Sequence, residues 1–162
     1  MRKADLPKQD KGDGTKLIAQ NKKARHNYLI EDTVEAGLQL VGTEVKSCRE
    51  GKVNLADSYA AVRDGEAWLL QCHISPYSHG NRENHDPIRP RKLLLKHHEI
   101  VQLQEKVAQE GRTLVPLRLY FKHGLAKAEI AIARGKQTHD KRQAEAQRDA
   151  ERSMRRELGR RR

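Results

Sequence analysis

The chain has few of the residues that build disulfide frameworks, aromatic cores or membrane segments. Its 162 residues include one Phe, one Trp and two Cys. No apolar run approaches the roughly 18 residues of a membrane-spanning helix, and the N-terminal region has no apolar signal core. Cys48 and Cys72 stand in neither CxxC nor CxxH spacing, so we expect two buried free thiols in a reducing compartment. These absences predict a soluble, cytoplasmic protein with a mainly aliphatic core.

Motifs of common catalytic and cofactor sites are also missing. The sequence contains no GxSxG, GxxxxGK[ST], GxGxxG or HExxH. His97 and His98 are adjacent in a predicted helix, where neighbouring side chains point about 100° apart and do not easily chelate one ion. We therefore expect no metal, no cofactor and no enzymatic activity.

The positive charge is concentrated at the two ends of the chain. The formal net charge is +11. Residues 1–25 hold eight Lys or Arg against three Asp, and residues 134–162 hold eleven Lys or Arg against five acidic residues. Residues 26–133 hold fourteen of each sign. A near-neutral domain with two basic extensions predicts an anionic partner, either nucleic acid or a membrane surface.

The neutral middle has the pattern of a small β domain. Apolar residues alternate in short runs, and Asp64-Gly65 and His123-Gly124 mark two tight hairpin turns. A further turn is expected near Glu35-Ala36-Gly37, and short helices near residues 42–50 and 97–110. We predict a mainly β fold with flanking helices, in which about six strands form a small closed or partly closed barrel.

The composition predicts three parts of the chain. Residues 1–20 are polar and form a mobile basic arm, residues 21–134 form the barrel domain, and residues 135–162 form a basic tail. In the tail, Ala146, Ala150, Met154 and Leu158 recur every four residues among good helix formers. Because this stripe is narrow and half alanine, we expect the tail to be disordered when free and helical when docked on an anionic partner. A membrane partner would need a broad apolar face with aromatics, which the stripe lacks.

Three stretches of the domain combine cations with groups that stack or form hydrogen bonds. They are "NKKARHNY" at 21–28, "RPRKLLLK" at 89–96 and "FKHGLAKAE" at 121–129. The first can also be an ordinary charged lead-in to a strand, and at least two of the leucines in the second belong to the core. Together with a barrel, they favour structured RNA or single-stranded nucleic acid as the partner.

Long segments of the sequence resemble the SsrA-binding protein (SmpB) family of bacteria. They are "NKKARHNYLIEDTVEAGLQLVGTEVKSCREGKVNLADSYAAVRDGEAWL", "SPYSHGNRENHDPIRPRKLLL" and "ARGKQTHDKR". The resemblance runs from about Ile18 to Arg142 and implies an oligonucleotide-binding (OB-like) barrel. It also implies an adaptor that binds the tRNA-like domain of transfer-messenger RNA and delivers it to stalled ribosomes. There the nascent chain is tagged for proteolysis and the ribosome is rescued, a process called trans-translation.

The resemblance implies partners and site residues as well. Aminoacylation and GTP hydrolysis fall to alanyl-tRNA synthetase and elongation factor Tu, which act as indirect partners. The direct partners are transfer-messenger RNA and the stalled ribosome with its 16S ribosomal RNA. The tail helix is expected in the empty message channel. In the stretch 21–28, Asn21, Lys23, Arg25 and His26 are the candidate RNA-binding residues, and the resemblance adds Glu35, Leu94, Lys127 and Gly135. The positions expected at the ribosomal decoding centre are His139, Asp140, Lys141 and Arg142.

Composition alone is equally compatible with another kind of RNA-binding protein. A structural ribosomal protein or a general RNA chaperone can also combine an OB-like barrel with basic extensions. The ordered motifs favour the adaptor of trans-translation over this alternative.

Overall fold

The computed structural model describes residues 14–80, 84–109, 111–136 and 138–160, with the backbone alone for 138–141 and 144. Within these residues the chain forms nine strands and four helices. The elements, in chain order, are β1 (Thr15–Gln20), α1 (Ala24–Asn27), β2 (Tyr28–Leu38), α2 (Gly42–Arg49), β3 (Val53–Asn54), β4 (Tyr59–Arg63), β5 (Glu66–Leu70), β6 (His73–Ile74), β7 (Arg91–Leu94), α3 (His97–Val107), β8 (Arg112–Lys122), β9 (Leu125–Gly135) and α4 (Thr138–Arg160). None of these helices is long and apolar enough to cross a membrane.

Six strands close into a ring, which confirms the predicted barrel. Their order is β8-β4-β5-β7-β2-β9, and β9 pairs again with β8. All of the pairings are antiparallel. A closed ring leaves no row of unpaired backbone groups on these strands. Outside the ring, β1 adds to β8, while β3 and β6 form a separate two-stranded sheet.

Three strands of eleven residues each, β2, β9 and β8, form one long wall of the barrel. The wall accommodates Pro116 at a shift of register between Pro116 and Arg118, since proline cannot donate to a ladder and occurs at such bulges. The predicted turn near Glu35-Ala36-Gly37 is wrong, because β2 runs through these residues and pairs with β9 along them.

The N-terminal boundary also needs correction. Residues 15–20, which the sequence predicts to belong to a mobile arm, form β1 and pair with residues 118–122 of β8. Ile18 of this strand is buried in the core, and that apolar contact fixes the segment to the barrel. Residues 1–13, the rest of the predicted arm, lie outside the described residues.

Both predicted tight hairpins are confirmed. Asp64 and Gly65 have φ values of 52° and 73° between β4 and β5, and His123 and Gly124 have 51° and 77° between β8 and β9. Two consecutive positive φ values are what a type I′ turn requires, and its twist matches that of the paired strands. The turns fix the register in which the inward residues of each hairpin meet.

The core is aliphatic, as predicted. Its main cluster contains Leu69, Leu93, Leu119 and Ile130 from the barrel strands, and α3 covers the cluster with Ile100 and Leu103. Cys48 and Cys72 are buried free thiols in this cluster. Burial raises the pKa of Cys48 to about 12 and that of Cys72 to about 11, so both remain protonated at neutral pH.

A buried ion pair fastens the long loop between β6 and β7. Glu44 and Arg91 are both fully buried and in direct contact, and Arg89 binds the other carboxylate oxygen of Glu44. Arg91 also donates to the carbonyl oxygen of Cys72 at 2.5 Å and to that of Pro87 at 3.1 Å. Burial by itself would raise the pKa of Glu44, but hydrogen bonds from the Val41 amide and from the two guanidinium groups hold it below its usual value.

We predict that Glu44→Gln lowers the free energy of unfolding by about 3 kcal/mol, because it leaves the buried Arg91 without a counter-charge. Urea denaturation at neutral pH measures this loss. Glu50→Gln is the control, since Glu50 pairs with Lys52 at 3.1 Å on the surface and its loss costs no more than about 1 kcal/mol.

The same pair predicts a pH dependence. A carboxyl whose pKa is lowered on folding contributes stability above its unfolded pKa and loses it as the pH falls through the folded pKa. Between neutral pH and the acid range, the native protein should therefore lose more stability than Glu44→Gln. Parallel pH profiles for the two proteins would contradict this account.

Candidate nucleic-acid interface

Strand pairing sets four outward-facing positions side by side across the barrel wall. Gly37 of β2 pairs with Leu94 of β7 on one side and with Lys127 of β9 on the other. Lys127 in turn pairs with Tyr120 of β8. Because side chains alternate along strands, Glu35 shares the outer face of β2 with Gly37, while Ala36 and Leu38 are buried in the core. The pairing therefore collects side chains from four strands on one surface.

Gly37 gives this surface its hollow centre. A Cβ atom at this position would lie 3.0 Å from the Cβ of Leu94, which is closer than two carbons normally approach. Without that atom, Leu94 lies across the strand and remains 51% exposed. The hollow is a groove of about 550 Å³ lined by Glu35, Gly37, Gly65, Glu66, Lys92, Leu93, Leu94, Leu95, Lys96, His97, Glu99, Ile100 and Lys127. An apolar floor with several cations suits a stacked base beside phosphates.

Glu35 is one of three carboxylates that line this groove beside three lysines. The buried Tyr120 hydroxyl donates to its Oε2, and the Nζ of Lys122 lies 3.7 Å from the same oxygen. The Tyr120 hydrogen bond holds the pKa of Glu35 below its usual value despite a partial loss of solvation, and Lys122 and Lys127 lower it further. Glu35 is therefore ionised at neutral pH and can accept hydrogen bonds.

A second hollow, of about 320 Å³, lies at the connection between β1 and α1. It is lined by Gln20, Asn21, Lys22, Arg25, Leu117, Arg118 and Glu129. Asn21 links β8 to the segment between β3 and β4, because its amide nitrogen donates to the carbonyl of Pro116 at 3.2 Å and to that of Leu55 at 3.4 Å. Arg118 binds Glu129 at 2.6 Å and stacks on the Tyr120 ring, 4.6 Å from its centroid. Tyr120 therefore lies between the two hollows.

The tail helix α4 begins next to α1 and contacts it. The Lys136 amide donates to the carbonyl of Asn27 and its Nζ to that of Arg25, both at 2.9 Å. His26 faces α4, with Nε2 3.5 Å from Glu145 Oε1 and Nδ1 3.2 Å from Arg148 Nη2. Met154 and Leu158, from the predicted apolar stripe, remain exposed. The structure confirms that the tail forms a helix, while its disorder in the free protein stays a prediction.

No group of three or more His, Cys, Asp or Glu side chains within the described ranges is placed to hold a metal ion. The two hollows are lined by cations, carboxylates and apolar groups, with two side-chain amides in the second, and RNA-binding surfaces use groups of these kinds.

Comparison with known proteins identifies the family. The family model described as SmpB protein matches residues 18–160. The chain belongs to the SmpB family. It is 58% identical to the SsrA-binding protein of Thermobifida fusca over 155 residues, which is 96% of this chain and 97% of the relative. It is 59% identical to that of Mycobacteroides abscessus over 149 residues, which is 92% of this chain and 94% of the relative.

A solved structure is also similar. It is described as "tmRNA-SmpB: a journey to the center of the bacterial ribosome", and the matched chain is 48% identical with a TM-score of 0.64. The match covers 78% of this chain and 92% of that one.

Of the SmpB-family positions predicted from the sequence, the structure brings three together. Glu35, Leu94 and Lys127 line the first groove. Asn21 and Arg25 line the second hollow, and Lys23 is exposed beside it. The predicted RNA contacts of all these residues stay predictions. Asn21 also has a structural role, because it supports the backbone of β8.

The other predicted positions lie near the tail. Gly135 is the last residue of β9 and pairs with Tyr28, and His26 contacts α4. Arg142 is exposed on α4. Helix α4 includes positions 139–141, but the side chains of His139, Asp140 and Lys141 lie outside the described residues. Their contacts with the decoding centre stay predictions.

Sequence reasoning missed Gly37, Arg118 and Tyr120. Alternation in "TLVPLRLYFK" predicts that Leu117, Leu119 and Phe121 point inward and that Tyr120 points outward. Leu119 and Phe121 do lie in the main core, but Leu117 lies in a separate cluster, beside the register shift between Pro116 and Arg118. What was missing was the register that sets Tyr120 opposite Lys127 and near Glu35. That register depends on strand pairs far apart in the sequence.

We predict that Gly37→Ala displaces Leu94 and lowers the free energy of unfolding by about 1–3 kcal/mol, because the new methyl group overpacks the groove. The methyl NMR signals of Leu94 report the displacement, and urea denaturation reports the stability. Gly42→Ala is the control, since no atom lies within 4 Å of its added Cβ. Unchanged Leu94 signals in Gly37→Ala would show that Gly37 does not shape the groove.

Proposed function

We propose that this chain is an RNA-binding adaptor of trans-translation. It binds the tRNA-like domain of transfer-messenger RNA and delivers it to stalled ribosomes, where the nascent chain is tagged for proteolysis. The chain acts by binding and contributes no catalytic step of its own. Its place of action is the cytoplasm, where translating ribosomes are found.

The convergence of Glu35, Leu94 and Lys127 in one groove is the observation that carries this proposal. The three positions are separated widely in sequence, and each belongs to a different strand. Leu94 presents an apolar surface on which a base can stack, Lys127 supplies a cation for phosphate, and Glu35 supplies an acceptor for base or ribose donors. This combination fits an irregular RNA element with an unstacked base better than it fits a regular duplex.

The second hollow extends the surface toward the start of the domain. Lys22, Arg25 and Arg118 line it, and Lys23 lies beside it, so phosphates that follow the first contact site meet further cations. The two hollows are lined by six Lys or Arg side chains and four Glu side chains, so attraction to RNA depends on this local excess as well as on the net charge of the chain.

The tail has a separate role in this proposal. Its helix has few apolar contacts with the barrel, since Met154 and Leu158 are exposed. Ten basic residues follow Gly135. We propose that the helix enters the empty message channel and that His139, Asp140, Lys141 and Arg142 contact 16S ribosomal RNA at the decoding centre. Elongation factor Tu and alanyl-tRNA synthetase then act on the same RNA as indirect partners.

We predict that Lys127→Ala weakens binding to the tRNA-like RNA and reduces the slope of log affinity against log salt by about one, because one phosphate contact is lost. Filter binding across a salt series measures both quantities. Lys52→Ala is the matched control, since Lys52 is exposed and pairs with Glu50 away from both hollows. An equal effect in the control would contradict the assignment of Lys127.

We predict that deletion of residues 136–162 leaves most of the affinity for the tRNA-like RNA but abolishes tagging on stalled ribosomes. The barrel and both hollows remain, whereas the segment assigned to the ribosome is gone. RNA binding and a reconstituted tagging reaction are measured on the same preparation. A comparable loss of both activities would contradict this division of roles.

A further inference from the structure

Tyr120 is the residue that joins the two hollows. It is only 3% exposed, although it lies on the outer wall of the barrel. Its hydroxyl donates to Glu35, which lines the first groove, and Arg118, which lines the second hollow, stacks on its ring. Tyr120 therefore does more than fill space, because its hydroxyl and its ring each contact a side chain that lines one of the hollows.

A carboxylate on an RNA-binding surface poses an electrostatic problem. Unless its position is fixed, Glu35 can turn toward Lys127 and neutralise a cation that phosphate needs. In the structure, Tyr120 and Lys122 both contact Oε2 of Glu35. The carboxylate is thus held from the β8 side, and Oε1 is the oxygen that can accept a hydrogen bond from RNA.

The Tyr120 ring plays a comparable role for Arg118. A guanidinium over an aromatic face is attracted to it and loses less conformational freedom when it binds a ligand. Glu129 holds the Nε of Arg118 at 2.6 Å, and the side chain remains 41% exposed. Arg118 is therefore held at the edge of the second hollow, where it can meet a phosphate.

We infer that Tyr120 is a positioning residue for RNA binding: its hydroxyl holds Glu35 as an acceptor for base N–H or ribose hydroxyl donors, and its ring holds Arg118 for phosphate. This inference rests on the proposed function and adds to it a residue that need not touch the RNA. It also makes the two hollows parts of one surface, joined through Tyr120.

The test begins with Tyr120→Phe, which removes the hydroxyl but keeps the ring beneath Arg118. We expect a roughly tenfold loss of affinity for a tRNA-like RNA, as for the loss of a hydrogen bond to a charged group. In a Glu35→Ala background the same substitution should change affinity less than twofold, because the hydroxyl has no carboxylate left to hold. Tyr59→Phe is the control, since Tyr59 of β4 lines neither hollow.

A pH profile distinguishes positioning from a general effect on packing. The charged or titratable groups around Glu35 are Tyr120 and Lys122 from β8, Lys127 and Glu129 from β9, Lys92 from β7, Glu66 from β5, and Lys96, His97 and Glu99 at the start of α3. In Tyr120→Phe, all of these groups except the Tyr120 hydroxyl are unchanged. Without the hydroxyl, the pKa of Glu35 rises toward its usual value, so the loss of RNA affinity on acidification should begin at a higher pH.

A measurement on the free protein separates this inference from the proposed function. Carboxyl-carbon NMR of Glu35 without RNA should show its titration at a higher pH in Tyr120→Phe than in the native protein. An unchanged titration, or a tenfold cost of Tyr120→Phe that persists in Glu35→Ala, would overturn the positioning role. Failure of the native protein to bind the RNA would instead overturn the proposed function.

Discussion

The pairing of β2, β9 and β8 is the constraint on which the rest of the structure depends. Each of these strands has eleven residues, and β9 pairs with both of its neighbours along almost its whole length. The pairing closes the ring, buries Leu119 and Ile130 inside, and sets Gly37, Lys127 and Tyr120 side by side outside. Because side chains alternate, a slip of one residue would send the outward side chains of this wall into the core.

Most charged side chains around the two hollows belong to a domain whose acidic and basic residues balance each other. Residues 26–133 carry equal numbers of acidic and basic side chains, and many of them pair with each other, as Lys106 does with Asp32 and Arg112 with Glu31. Four carboxylates line the two hollows, and two of them are held by residues of β8: Glu35 by Tyr120 and Glu129 by Arg118. Under the proposed function, carboxylates and cations in fixed positions would recognise the shape and the hydrogen-bond donors of an RNA as well as attract its phosphates.

Local features of the sequence predicted local features of the structure. Asp64-Gly65 and His123-Gly124 form the expected turns, the helix predicted from Ile100 and Leu103 is present, and the Ala146 to Leu158 stripe lies on a helix. The break expected at Gly37 was wrong, because a glycine within a strand can mark a close approach as well as a turn. The resemblance named Glu35, Leu94 and Lys127, but their place in one groove follows from strand pairing between distant residues. Tyr120 and Arg118 could not be found without that pairing.

The central claim is that one outer wall of the barrel, from Leu94 across Gly37, Lys127 and Tyr120 to Arg25, binds the RNA. Amide NMR of the protein titrated with a tRNA-like RNA fragment tests it most directly. The account predicts that the largest shift changes fall on those five residues, while α2 and β6, at the opposite end of β7, change little. Changes concentrated on α2 and β6, with the wall unaffected, would contradict it.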